Sequence, residues 1–175
     1  MSIIENLGQE LDQEAQTTRR VLERIPEGQL GWKPHSKSMS LGQLAMHVAM
    51  VPGAIAEISQ QSSFQVGDFT PPTPSSAAEV MSTFEGSMGK ARAILRGMDD
   101  AALGKTWRLM QGDRELRAMP VGALLRSIML NHWYHHRGQL SVYLRQVGAQ
   151  VPSIYGPSAD ENPFAARKAA VATTA

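Results

Sequence analysis

Apolar or small residues recur at Ile4, Leu7, Leu11, Ala15, Thr18, Leu22 and Ile25, the three-and-four spacing of one helical face, and predict a first helix. Pro26, Gly28 and Gly31 stop it. Ser40 and Gln43 form a capping-box pattern ahead of a second stripe made of Leu41, Leu44, Val48, Val51, Ile55 and Ile58. Pro52 falls inside that stripe and is expected to kink or divide the helix, because it has no amide hydrogen and crowds the preceding turn. From Gln60 to Ser76 the chain turns polar and proline-rich, with TPPTP at Thr70 to Pro74, which suits an exposed crossover. Ser76 and Glu79 repeat the capping pattern. Val80, Phe84, Met88, Ala91, Leu95 and Met98 then give a third stripe that ends near Asp99 and Asp100.

Between Trp107 and Met119, Trp107 and Leu109 alternate with polar residues, Gly112 and Asp113 can turn, and Leu116 and Ala118 alternate again; a short hairpin and a packed loop fit equally. Pro120 suits the first turn of a long fourth helix whose apolar and aromatic positions include Leu124, Leu125, Ile128, His132, Leu140, Tyr143 and Val147, with Gly148 as its stop. Beyond Ala149, Pro152, Pro157 and Pro163 break regular structure, and a strap over the helices followed by a disordered tail is expected. Each stripe must cover another, so the pattern predicts an all-α, antiparallel four-helix bundle. The expected domain spans residues 1–162, with a flexible tail at 163–175.

At 175 residues and 42% apolar composition, the chain can build one sizeable core. Seventeen basic and sixteen acidic residues leave a net charge of +1, too little for a broad field that would hold nucleic acid or an acidic membrane. Cysteine is absent, so disulfides, thiolate nucleophiles and Cys-ligated zinc are excluded. The N-terminal text MSIIENLGQE carries Glu5 and lacks a basic region before an apolar run, so no secretory signal is read there and a cytoplasmic location is expected. Ser38 to Ala56 has no formal charge, but Gly42, Gln43, His47, Pro52 and Gly53 interrupt it; a buried helix is expected, not a membrane span.

Three of the five histidines lie together in HWYHHRGQ of the fourth helix. At about 100° per residue, His132 and His136 stand about 40° apart around the axis, one turn along the same face, and can grip one ion. His135 lies about 60° to the other side of His132 and can also pair with it, less well aligned. His47 is the other histidine inside a predicted helix, beside Leu44 and Val51 near its inner stripe. Three imidazoles from two helices leave coordination positions open on zinc, nickel or iron, as in catalytic sites. Gln43 and Gln139 lie within a turn of His47 and His136, so either amide can orient a ligating ring. The competing reading treats the histidines as surface or satisfied core groups. His35, in the KPHSKS loop, is expected to be exposed and incidental, and the tryptophans and methionines to be core or pocket wall.

Two other motifs fail on mechanism. LGKT at Leu103 to Thr106 resembles the end of a phosphate loop, but Asp99 stands where its first glycine must be. Gly86, Ser87 and Gly89 approximate a nucleophile elbow, yet Glu85 replaces the glycine that the strained turn needs.

The segments GWKPHSKSMSLGQLAMHVA at Gly31 to Ala49, NHWYHHRGQLSVYLRQVG at Asn131 to Gly148 and VPSIYGPSADE at Val151 to Glu161 resemble the DinB (DinB/YfiT-like) superfamily, over about residues 3 to 162. The resemblance implies an up-down-down-up four-helix bundle, often dimeric. It also implies a divalent metal held by one histidine of the second helix and a His-x-x-x-His pair late in the bundle, which fall on His47, His132 and His136. It implies small-molecule chemistry as well, since relatives include thiol-dependent transferases and isomerases that use bacillithiol or mycothiol. Being named for induction by DNA damage does not make the family DNA-binding.

The leading expectation is a homodimeric metalloenzyme whose open coordination position activates water or the sulfur of a small thiol, making it a hydrolase or a thiol-dependent transferase. Lacking cysteine, the chain would need a low-molecular-weight thiol as cosubstrate. Glu57 and Tyr134 are near the ligands only in sequence and receive no role. The alternative is a non-enzymatic binding or stress-response module in which the metal stiffens the bundle.

Overall fold

Ser2, Ser40 and Ser76 each start a helix by accepting a backbone N–H three residues on, so the three early stripes become α1 (Ile3–Leu22), α2 (Leu41–Ile58) and α3 (Ala77–Arg96). Ser2 with Glu5 and Ser40 with Gln43 complete reciprocal capping boxes, whereas the Glu79 carboxylate turns to the backbone and hydroxyl of Ser75. The computed structural model describes residues 2–67 and 69–165. The flexible tail expected over 163–175 lies outside the described residues from position 166 onward.

A four-residue α4 (Asp100–Leu103) leads into β2 (Thr106–Gln111) and β3 (Arg114–Pro120), which form an antiparallel hairpin. Gly112 and Asp113 make its two-residue turn, and Gly112 adopts the positive φ of 57° that a tight hairpin turn requires. The crossover adds β1 (Ser63–Gln65), paired in parallel with β2 so that Phe64 faces Leu109; the sheet order is β1-β2-β3. The expected all-α class is corrected accordingly: the fold is mostly helical with a small three-stranded sheet. Three polar-flanked residues cannot show the two-residue alternation of a strand, and β1 exists because the crossover runs along the free edge of β2.

Pro120 ends β3 and caps α5 (Val121–Leu124) instead of lying within its first turn. Leu125–Asn131 continues as a π-helical stretch, and α6 (His132–Gln146) completes the long C-terminal helix. Gly148, at φ 75°, ends it, with the Ala149 N–H returning to the Leu144 carbonyl. A π turn takes in one extra residue and rotates everything downstream by about 100° relative to a straight α-helix. The buried positions are therefore Val121, Leu124 and Leu125, then Met129, Leu130, Trp133, Arg137, Leu140 and Leu144, and not the expected Ile128 and His132.

In the bundle α3 packs on both α1 and α2, while α6 packs on α2 and, less extensively, on α1. Gly53 allows the close approach of α2 to α3, since a Cβ there would meet Ser87 at 2.8 Å. Pro52 does not divide α2, which runs unbroken past it. By length and composition α2 could cross a membrane, yet 61% of it is packed inside the bundle as a core helix. The strap after Ala149 is tied down by Arg145–Asp160, Arg20–Glu161 and the hydrogen bond from Arg137 to the Tyr155 hydroxyl.

Candidate metal centre

His47 projects from α2 between the buried Leu44 and Val51, and α6 presents His132 and His136 opposite it, beside the buried Trp133. One ring nitrogen from each of the three lies within 4.8 Å of the other two. The Nε2 atoms of His47 and His132 are 3.0 Å apart. The rings meet edge to face, with centroids 5.2 Å apart for His47–His132, 4.5 Å for His47–His136 and 4.3 Å for His132–His136.

The donor set fits a divalent ion. Two imidazole nitrogens bound at about 2.0–2.1 Å and tetrahedral angles stand about 3.3 Å apart, close to the observed His47–His132 separation. Burial lowers the pKa of all three histidines, that of His47 to about 4 with the neighbouring His136 and His132 adding repulsion against a proton. The rings are thus neutral near pH 7, with lone pairs available to a metal. The Nδ1–H of His136 donates to Gln139 Oε1 at 2.7 Å, which leaves its Nε2 as the acceptor. His47 Nδ1 is buried with no hydrogen-bond partner.

Spacing left His135 open as a partner of His132; in the structure it is exposed and outside the three-histidine group, its ring centroid 5.0 Å from that of His136. Of the two candidate amides, Gln139 orients His136, while Gln43 is used in the cap of α2. Glu57 pairs with Lys90 and Tyr134 donates to Glu10, so both are otherwise engaged. His35 is exposed, accepting from the Lys37 N–H. Phe69, in the polar crossover, has its ring centroid 5.6 Å from that of His47. Its only signal in the sequence is that it is one of two large aromatics, with Phe64, in a polar segment.

The DinB family model matches residues 1–167. Bacillus subtilis YrdA, an uncharacterized protein, is 30% identical over 149 residues, covering 85% of each chain. A DinB-like protein from Bacillus cereus superposes with a TM-score of 0.71 at 24% identity, over 86% of this chain and 97% of that one. YfiT from Bacillus subtilis, described as a probable metal-dependent hydrolase with an unusual four-helix bundle topology, gives 0.63 at 14% identity over 86% and 91%. A mycothiol-dependent maleylpyruvate isomerase gives 0.51 at 15% identity over 85% and 62%. At these identities the structural likenesses establish the fold alone. Since the family model spans the helices, the sheet and the strap together, the chain belongs to the DinB family.

Proposed function

We propose that this chain is a cytoplasmic, metal-dependent enzyme acting on a small electrophilic substrate, with His47, His132 and His136 holding one zinc, nickel or iron ion. The observation that carries the reading is the convergence of three neutral imidazoles, with no cysteine or carboxylate joining them among the described residues. A divalent ion bound there supplies Lewis acidity and lowers the pKa of a coordinated nucleophile. The chain's own residues set the conditions for that chemistry. Burial keeps His47 unprotonated, Gln139 holds the His136 ring in one tautomer, and Phe69 provides an apolar wall beside His47.

Hydrolysis is the first reading, supported by the fold shared with YfiT. Thiol-dependent transfer is the second, supported by the fold shared with the mycothiol-dependent isomerase. With no cysteine in the chain, the sulfur would come from a low-molecular-weight thiol.

Elemental analysis of untagged protein should find about one divalent ion per chain, because the ligands form one cluster. His132→Ala and His136→Ala should lose it and His135→Ala should retain it; equal loss in all three would refute the ligand set. Hydrolysis of esters or amides that is lost in His136→Ala supports the first reading. A cobalt spectrum changed by added thiol, with faster conjugation of that thiol to an electrophile, supports the second. A bound ion with neither activity would favour the binding-module alternative.

A further inference from the structure

Pro52 leaves the carbonyl of Val48, four residues earlier in α2, without its usual helical N–H donor. That carbonyl accepts instead from the indole Nε1–H of Trp133 at 2.8 Å, and both residues are fully buried. Val48 directly follows His47, and Trp133 directly follows His132. A single buried hydrogen bond therefore joins the two helices one residue beyond each of the two histidines whose Nε2 atoms stand 3.0 Å apart. On its other side, the interruption in α2 is closed by Ser87 of α3, whose hydroxyl accepts from the Gly53 N–H and donates to the Met50 carbonyl. The proline break is thus satisfied by two neighbouring helices, and the half nearest the histidines is given to Trp133.

From this we infer that Pro52 and Trp133 are positioning residues, which lock α6 in register against α2 and so set the separation of His47 from His132. The bond satisfies a buried indole N–H and the carbonyl that Pro52 leaves without its helical donor, so sliding or rotating α6 breaks it at a cost. The inference rests on the metal reading for its purpose, but the register it describes is a property of the metal-free chain.

The test uses Trp133→Phe, which removes the N–H and keeps an aromatic ring, and Pro52→Ala, which keeps the helix and restores an N–H that competes for the Val48 carbonyl. Both variants should keep wild-type helical content, lose ring-to-ring nuclear Overhauser contacts between His47 and His132 in the metal-free protein, and bind zinc about tenfold more weakly by chelator competition. Their cobalt spectra should also differ from wild type. In the double variant the backbone N–H restored at position 52 satisfies the carbonyl, so thermal stability should recover relative to Trp133→Phe while zinc affinity stays low. A purely structural role predicts that Pro52→Ala binds zinc as wild type does, and that result would overturn the inference, as would retained histidine contacts in both single variants. Wild type that binds none of zinc, nickel and iron would refute the metal reading, with the register then decided by the histidine contacts alone.

Discussion

At the level of single residues, burial gives His47 a consequence that a pH titration can read. In the unfolded chain its imidazole takes up a proton near pH 6.5, whereas in the folded chain burial holds its pKa at about 4, and His132 and His136 shift in the same direction. Between those values the unfolded state binds more protons, so the stability these rings contribute is complete above pH 6.5 and is lost as the pH falls toward 4. The thermal midpoint of metal-free protein should drop across this window. His47→Leu, which cannot be protonated, should reduce the slope between about pH 6.5 and 5, above the range where carboxylates titrate; an unchanged slope would contradict the assignment. By the same sign, the ion should be retained somewhat below the pH of about 6.5 at which free imidazole ceases to be a ligand. The pairing of His132 with His136 was legible from spacing because positions four apart share a helical face, though His135 stayed open, and His47 was legible only as the other histidine inside a predicted helix. The oxygen of Gln139 was legible as one of two choices, and only the use of Gln43 in a cap separated them.

Among the elements, α1 and α6 meet through a buried ion pair and not through apolar side chains alone. Arg137, beside His136 in the chain but facing α1, is almost wholly buried and pairs with the Glu14 carboxylate at 2.6 Å, with further bonds to the Glu14 carbonyl and Thr18 hydroxyl. Tyr155 of the strap closes the pair, accepting from Arg137 and donating to Glu14, and the rings of Tyr134 and Tyr155 lie 5.2 and 5.1 Å from the guanidinium. Arg137→Met should therefore cost about 3–5 kcal/mol, because it strands a buried carboxylate, while adding Glu14→Gln should recover a large part of that loss. Urea unfolding of the single and double variants checks this; equal destabilisation by both would mean that the charge pair is not the source. The strap was foreseen from its prolines, but not its role as the cover of an ion pair, since Tyr155 and Glu14 are 141 residues apart.

For the whole molecule, the resemblance of the chain and its net charge of only +1 lead us to expect a homodimer, with little charge repulsion between like subunits. Light scattering at micromolar concentration should give twice the chain mass of 19.1 kDa, and a value of 19.1 kDa would refute it. Four helices, the serine caps of the first three and the glycine stop at Gly148 follow from local rules, in which a residue's role depends on neighbours within four positions. Three features needed the folded chain. β1 is too short to carry a periodic signal and is ordered by the edge of β2. Pro52 leaves α2 unbroken because Trp133 and Ser87 replace what it removes. The π stretch at Leu125–Asn131 shifts the buried face by one residue, exchanging Ile128 and His132 for Met129 and Trp133. Hydrophobic spacing by itself determined that a helix runs through this region and that His132 and His136 share one side of it. Which side faces α2 was decided only by tertiary packing, because the extra residue of a π turn leaves no mark on local propensity and is held by the contacts made around it.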